Sequence, residues 1–178
     1  MDPEADRLIR ETAKRLLREV GYARLTIDGV AREAGVARTT IYRRYADKAE
    51  LVSAAIDSLR QPSKTADTGD ARENLVAQLD NARRHFDMSL AGTLLMEEPH
   101  DPQLIRLFRE RMVLPRREIV REIIARGIDR GQIRAGVDVE PVLDLLLGAL
   151  FAAVMAAGRP GPAWPRQTVD ALWPALSA

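Results

Sequence analysis

The sequence predicts an all-α protein, and three observations carry that expectation. Apolar residues recur at three- and four-residue spacing along most of the chain, no stretch sustains the alternation of a half-buried strand, and Gly or Pro punctuates the helical patterns. The spacing predicts about nine helices in 178 residues.

The first helix is expected from Glu4 to Val20, where Leu8, Ile9, Ala13, Leu16, Leu17 and Val20 share one face and Gly21 supplies the stop. A short helix follows from Ile27 to Ala34, with Thr26 placed to cap its exposed N–H groups and Gly35 to end it. Arg38 to Tyr45 and Lys48 to Leu59 form the next two. "QPSKTADTGD", Gln61 to Asp70, reads as a linker. Beyond it the pattern predicts helices over Ala71–Leu90, Gly92–Glu98, Pro102–Met112, Pro115–Arg130, Val139–Ala157 and Pro165–Leu176, with proline tolerated in a first turn and Asp138 a candidate cap.

Composition excludes several classes of function. With no cysteine there are neither disulfides nor thiolate metal sites. The polar, acidic N-terminus "MDPEADRLIR" is unlike a signal peptide, and the longest apolar run, Leu145 to Gly158, is shorter than the roughly 20 residues of a membrane span. A cytoplasmic protein without a membrane partner is expected. His85 and His100 lie at no helical zinc spacing, and "MEEPHD" is a proline-bounded loop, so no metal or other cofactor is expected. Nor is there a nucleophile–base pair or a glycine-rich phosphate loop, which argues against an enzyme.

The net charge of +1 gives the whole chain no attraction for an acidic partner, yet Arg24 to Lys48 holds six basic residues against three acidic ones. A charge run can be a solvated face. Here its geometry is more specific: two short helices joined by a tight glycine turn make a helix-turn-helix, whose second helix can enter the major groove of DNA. Ala31 is small where the helices cross, Gly35 can take a positive φ, and Val30, Val36, Ile41 and Tyr45 supply a small core. At about 100° per residue, a face centred on Ile41 and Tyr45 turns Thr39 and Arg43 outward with Thr40 and Tyr42 on the flanks. Arginine can donate two bonds to guanine, threonine can touch a thymine methyl or a phosphate, and a tyrosine hydroxyl can reach a phosphate. The candidate DNA contacts are Thr26, Arg38, Thr39, Thr40, Tyr42, Arg43, Arg44 and Lys48, the last as a point charge for the backbone.

The stretch "GYARLTIDGVAREAGVARTTIYRRYADKAELV" resembles the TetR family of bacterial transcriptional regulators. Gly21, Tyr22, Thr26, Val30, Ala31, Ala34, Gly35, Val36, Ile41, Tyr42, Tyr45, Lys48 and Leu51 fall in its pattern, over Leu8 to Val52. The remaining two-thirds fits by length and helical character. The resemblance implies a homodimer that binds a double-stranded operator palindrome and is released by a small-molecule effector in its C-terminal domain. Two positions depart from the pattern. Ala37 stands where Ser or Thr is usual, a lost cap of about 0.5–2 kcal/mol. Gly29 replaces a helix former, at a cost of about 1 kcal/mol.

Residues 1–47 are therefore read as the DNA-binding domain and 48–178 as the effector-binding and dimerisation domain. His85, Met88, Leu94, Met96, Leu104, Phe108, Met112, Leu147 and Phe151 are the candidate effector pocket; a methionine-rich, apolar lining would suit a hydrophobic molecule, although plain core is the alternative for each. Leu143, Leu146, Leu147, Leu150 and Val154, with Val169, Leu172 and Trp173 of the last helix, are the candidate dimer interface, in the manner of a four-helix seam. Two other functions stay open on residues alone: a ligand-independent architectural DNA-binding protein of the same fold, and a helical enzyme carrying a vestigial motif.

Overall fold

A computed structural model describes residues 3–57, 66–85 and 87–178, and these are helical throughout, with one isolated antiparallel bridge between Ile133 and Ser177 in place of any sheet. The helices are α1 (Pro3–Arg24), α2 (Ile27–Glu33), α3 (Arg38–Tyr42), α4 (Lys48–Asp57), α5 (Ala71–His85), α6 (Met88–Leu95), α7 (Pro102–Phe108), α8 (Leu114–Asp129), α9 (Val139–Ala157) and α10 (Trp164–Leu176). A π-helical turn, Arg109–Val113, joins α7 to α8. Pro115 follows directly. Its ring would crowd the carbonyl of the preceding turn in a regular helix, and a widened turn relieves that crowding.

By packing, the chain forms two compact units: Met1–Gln61 with Ser89–Leu114, and Pro62–Met88 with Pro115–Ala178. This division interleaves along the sequence and does not coincide with the division at residues 47 and 48. In the first unit α4 lies against α1 and α7, because Leu51, Val52, Ala55 and Ile56 of α4 are all buried. Its core also takes in Ile9, Ala13 and Leu17 from α1, Ile41 from α3, and Leu104, Ile105, Phe108 and Met112. In the second unit Leu75 and Leu79 of α5, Val120, Ile123 and Ile124 of α8, Leu143 and Leu146 of α9, and Val169 and Leu176 of α10 form one cluster.

Local chemistry sets the helix ends. Gly21, at φ 77°, breaks the helical path inside α1. Thr26 Oγ1 accepts the Gly29 N–H at 3.0 Å and so caps α2. Gly35, at φ 65°, closes α2 with two reverse bonds, from the Val36 N–H to the Ala31 carbonyl at 3.0 Å and from the Gly35 N–H to the Arg32 carbonyl at 3.3 Å. Asp101 Oδ1 caps α7 through the Leu104 N–H at 3.1 Å. Asp138 precedes α9 but makes no side-chain cap bond. In the second unit Asp67 gathers Arg130, the Gly69 N–H and Asn74 around its carboxylate, and these bonds hold it well below the usual carboxylate range.

Several helices differ in extent from the sequence expectation. α1 runs on to Arg24, and the helices expected over Ala71–Leu90 and Gly92–Glu98 instead span Ala71–His85 and Met88–Leu95. α3 ends at Tyr42 rather than Tyr45, since Arg43 and Arg44 form a turn. The expected end of α4 at Leu59 lies outside the described residues. α9 keeps its expected bounds. At 19 residues and a mean hydropathy of 1.9 it is long and apolar enough, by length and composition, to cross a membrane.

Candidate functional site

The helix-turn-helix is assembled by burial beneath and exposure above. Ile41 is fully buried and Val30 and Ala31 close the space under it, so α3 crosses α2 with its polar face turned away. Arg38, Thr39, Tyr42 and Arg43 are exposed, Tyr42 at 48%, and Thr40 is half-exposed. Two of these side chains are held in place. Arg38 Nε lies 2.5 Å from Asp28 Oδ1, and its guanidinium sits 5.8 Å from the Tyr42 ring centroid. A groove contact by Arg38 must therefore exchange with the Asp28 pair. Thr26 is exposed at the start of α2, and its hydroxyl can donate to a phosphate while its oxygen still caps.

Arg44 is placed differently from the expectation. Its side chain is only 5% exposed, with Nε 3.5 Å from Asp6 Oδ1 and Nη1 donating to the Thr40 carbonyl at 3.1 Å. The turn after Tyr42 carries Arg44 back toward α1, so it braces the reading head instead of facing a groove. Tyr45 belongs to the same brace: it is buried and its hydroxyl donates to Asp6 Oδ1 at 2.7 Å. Burial and this bond push its phenol well above the ordinary range.

Lys48, expected to meet a phosphate, sits where α4 begins. Nζ donates to the Tyr22 carbonyl at 2.9 Å and lies 4.0 Å from the Tyr22 ring centroid. The ammonium has three donors, so this tie fixes its position without using up its capacity. Tyr22 is buried in turn, and its hydroxyl donates to Asp101 Oδ2, so burial and that carboxylate raise its phenol far above the ordinary value. Asp101 is a functional partner that sequence reasoning missed. A loop residue next to Pro102 gave no sign of a bond to a tyrosine 79 positions earlier.

The candidate pocket residues do not share one environment. Leu94, Leu104, Phe108 and Met112 are buried core of the first unit, because α6, α7 and the π-helical turn pack there. Met96 is 76% exposed beyond the end of α6, and His85 is exposed at the end of α5, so neither lines an enclosed space. The Met88 side chain lies outside the described residues. In the second unit Phe151 is half-buried and Leu147 lines a cleft together with Leu75, Gln78, Leu79, Ala82, Arg116, Val120 and Leu146. Its volume is about 20 Å³, room for a single water molecule. A signal for its polar members was present: Arg116 falls on the buried stripe Met112, Val120, Ile123, and Gln78 on the stripe Leu75, Leu79, Ala82.

The expected dimer residues divide into an inside and an outside. Leu143, Leu146, Leu150 and Val169 are buried within the unit itself and are its core rather than a seam. Val154, Leu172 and Trp173 are half-buried. The outer face of α9 instead presents Leu145, Gly148, Ala152, Met155 and Ala156, with Met155 at 85% exposure. These recur at three and four residues and form one apolar stripe. Glu140 and Asp144 stand off it, bound by Arg117 at 2.6 and 2.7 Å, and Arg121 also binds Glu140 at 2.7 Å.

A capped α2, a left-handed glycine turn and an exposed polar α3 define a DNA-reading helix-turn-helix. Residues 9–55 match the family described as bacterial regulatory proteins, tetR family, and residues 65–172 match the Tetracyclin repressor-like, C-terminal domain. The chain is 35% identical over 162 residues to an HTH-type transcriptional regulator of Mycobacterium bovis, covering 89% of this chain and 78% of that protein. It is 34% identical over 125 residues to the DNA-binding transcriptional repressor TetR of Mycobacteroides abscessus, covering 67% and 65%. A TetR transcription regulator from Haloarcula marismortui has the same fold, with a TM-score of 0.71 at 25% identity over 99% of this chain and 100% of that one. The chain belongs to the TetR family of bacterial transcriptional regulators, and it is a helix-turn-helix protein of that family.

Proposed function

We propose that the chain is a cytoplasmic, homodimeric repressor that reads a palindromic operator through α3 and releases it when a small effector binds the second unit. The observation that carries the reading is the pairing of an exposed polar α3 with an exposed apolar stripe on α9. A single α3 of five residues offers too few base contacts to select one site among many, so specificity calls for two copies. Closing the α9 stripe against a second chain supplies them, and removes from water a face that no soluble monomer gains from exposing.

In this reading Arg43 and Thr39 contact base edges, and Thr26, Thr40, Tyr42 and Lys48 fix the register on phosphates. Arg38 joins them once it leaves Asp28. Two recognition helices must then sit about 34–36 Å apart, one turn of DNA. An effector that binds better to a different separation weakens both half-sites together. The small size of the cleft favours one second reading, in which the C-terminal helices only dimerise and no effector exists.

Selection of bound sequences from a random duplex pool tests the first reading. An inverted repeat with half-sites about one helical turn apart is expected, and Arg43→Ala should lose about 1–3 kcal/mol on that sequence while keeping most of its affinity for random DNA. Recovery of a single unrepeated half-site would overturn the dimeric operator reading.

A further inference from the structure

Three acidic side chains lie within the basic segment from Arg24 to Lys48, and their partners set one of them apart. Glu33 Oε2 accepts from Arg15 Nη2 of α1 at 2.9 Å. Asp47 accepts the Glu50 N–H at 2.8 Å through Oδ1 and the Gln103 side chain at 2.9 Å through Oδ2. Both are tied to the frame behind the reading head. Asp28 pairs instead with Arg38, the first residue of the recognition helix α3, at 2.5 Å, and both side chains are more than half exposed.

Asp28 stands in the first turn of α2, two residues after the exposed Thr26. An acid suits the positive end of a helix, and on an ordinary surface that would account for it. On a face that meets DNA it is costly, because a fixed negative charge among phosphates lowers affinity for every duplex. Arg38 neutralises that charge as long as it stays on Asp28. The cost returns when the guanidinium, which also lies 5.8 Å from the Tyr42 ring centroid, turns to a base.

The major groove offers a freed carboxylate few partners. Guanine shows O6 and N7 and thymine shows O4, all acceptors that repel it. Adenine N6 donates but stands beside N7, another acceptor. Cytosine N4 donates with no acceptor next to it on the same base. A guanidinium has the opposite preference, for guanine O6 and N7. Because the two side chains touch, they reach the same base pair or adjacent pairs, about 3.4 Å apart along the strand.

We propose that Asp28 is a base-reading residue whose carboxylate accepts from the N4 amino group of a cytosine, paired with or next to the guanine that takes Arg38. This rests on the reading of α3 as the operator-binding helix, and adds to it a contact from α2 that makes each half-site present a C and a G together. Where a cytosine amino group replaces the guanidinium, Arg38 leaves Asp28 without stranding a charge. On other sequences either the carboxylate is left among phosphates and acceptor atoms, or Arg38 stays on Asp28 and reads nothing.

Selection from a random duplex pool with the wild type, Arg38→Ala, Asp28→Ala and Arg43→Ala locates what each side chain reads. Arg38→Ala should lose one guanine preference per half-site, and Asp28→Ala one cytosine preference in the same base pair or the adjacent one. Fluorescence anisotropy then compares the wild type's selected duplex with a copy in which that cytosine is replaced by 2-pyrimidinone, which lacks the N4 amino group and leaves the opposite guanine in place. The wild type should bind the copy about tenfold more weakly, and Asp28→Ala about twofold or less. Asp28→Asn, which keeps an acceptor oxygen without the charge, should retain part of the cytosine preference and bind a random duplex about threefold more tightly than the wild type. Circular dichroism and melting curves establish that each variant is folded. An Asp28→Ala protein that selects the wild-type sequence, or a wild type indifferent to loss of the amino group, would overturn the proposal and leave Asp28 an acid that serves only its own helix. A cytosine position more than one base pair from the one lost in Arg38→Ala would overturn it as well. Failure of the underlying reading looks different: a wild type that selects no sequence sinks both, whereas base preferences lost in Arg43→Ala but not in Asp28→Ala sink this one alone.

Discussion

Ala37→Ser tests whether the reading head is weakened by a missing cap. Ala37 precedes α3 with φ −68° and ψ 142°, an extended backbone of the kind that Thr26 shows before α2 at φ −128° and ψ 150°. At Thr26 the hydroxyl accepts the Gly29 N–H at 3.0 Å; at Ala37 nothing does the same. A serine oxygen there can accept from the Thr39 or Thr40 N–H, which should add about 1 kcal/mol, within the 0.5–2 kcal/mol range of such caps. For a cooperative unit of this size, 1 kcal/mol corresponds to a rise in melting temperature of about 4–8 °C. It should also slow amide exchange in α3 about fivefold. Thr26→Ala should lose a similar amount from α2.

Gly29 completes the cycle. A Cβ built on Gly29 would lie 3.1 Å from Thr26 Oγ1, so the glycine is accommodated to the cap rather than being an idle loss of helix propensity. Gly29→Ala should therefore gain little with Thr26 present, and recover about 1 kcal/mol in the Thr26→Ala background. Thermal melts and native-state hydrogen exchange measure all four proteins. If Ala37→Ser leaves both the melting temperature and α3 protection unchanged, the cap argument is wrong.

Three further outcomes are expected. Lys48→Ala should weaken cognate and random duplexes alike and reduce the salt slope of binding by about one unit, measured by anisotropy from low to physiological salt; an unchanged slope would leave Lys48 a purely structural tie to Tyr22. Met155→Glu places a charge on the exposed stripe without touching the core, so sedimentation should show folded monomers and operator binding should collapse; a dimer that survives would move the interface elsewhere. Glu140 is held down to about 2 by its bonds to Arg121 and Arg117, below the 4.5 of a free glutamate. Its contribution is present above pH 4.5 and is lost as pH falls toward 2, so acid unfolding of the second unit should shift to higher pH in low salt relative to wild type when Glu140 is changed to Ala, and an identical acid midpoint would refute it.

What the sequence disclosed follows the range of the contacts involved. The helix-turn-helix is legible because its determinants are local: the Thr26 cap, the Gly35 turn and the alternation of Ile41 with Thr39 and Arg43 all lie within one or two turns of each other. The cleft is not, because Gln78, Arg116 and Leu147 come from three helices, and periodicity says only that a helix has a buried face, not which neighbour covers it. α9 shows the same limit from another side. It is apolar nearly all round, so no stripe read from sequence separates Leu143, Leu146 and Leu150, which face the unit's own core, from Leu145, Ala152 and Met155, which face outward. Methionine richness misled for a related reason: Met112 and Met96 are neighbours in composition, yet one is buried core and the other lies exposed past a helix end.

The expected boundary at residue 47 falls inside one compact unit, and the hydrogen bonds of that unit explain why. Asp101 uses one carboxylate oxygen to cap α7 and the other to take the Tyr22 hydroxyl. Gln103, two residues on, donates to Asp47 Oδ2 at 2.9 Å. Tyr22 meanwhile holds Lys48 by its carbonyl and by its ring. The start of α7 is thus bonded at two points to the segment that positions the proposed phosphate contact, and Leu51, Val52 and Ile56 of α4 back those bonds with buried apolar surface. A buried phenol deprived of Asp101 would be left without its acceptor, at a cost of about 1–3 kcal/mol, so the native pairing is strongly preferred over its alternatives. Any change that shifts the first turn of α7 must therefore either carry Tyr22 and Lys48 with it or break bonds it cannot replace. The helices that follow the reading head in sequence are in this way part of its frame.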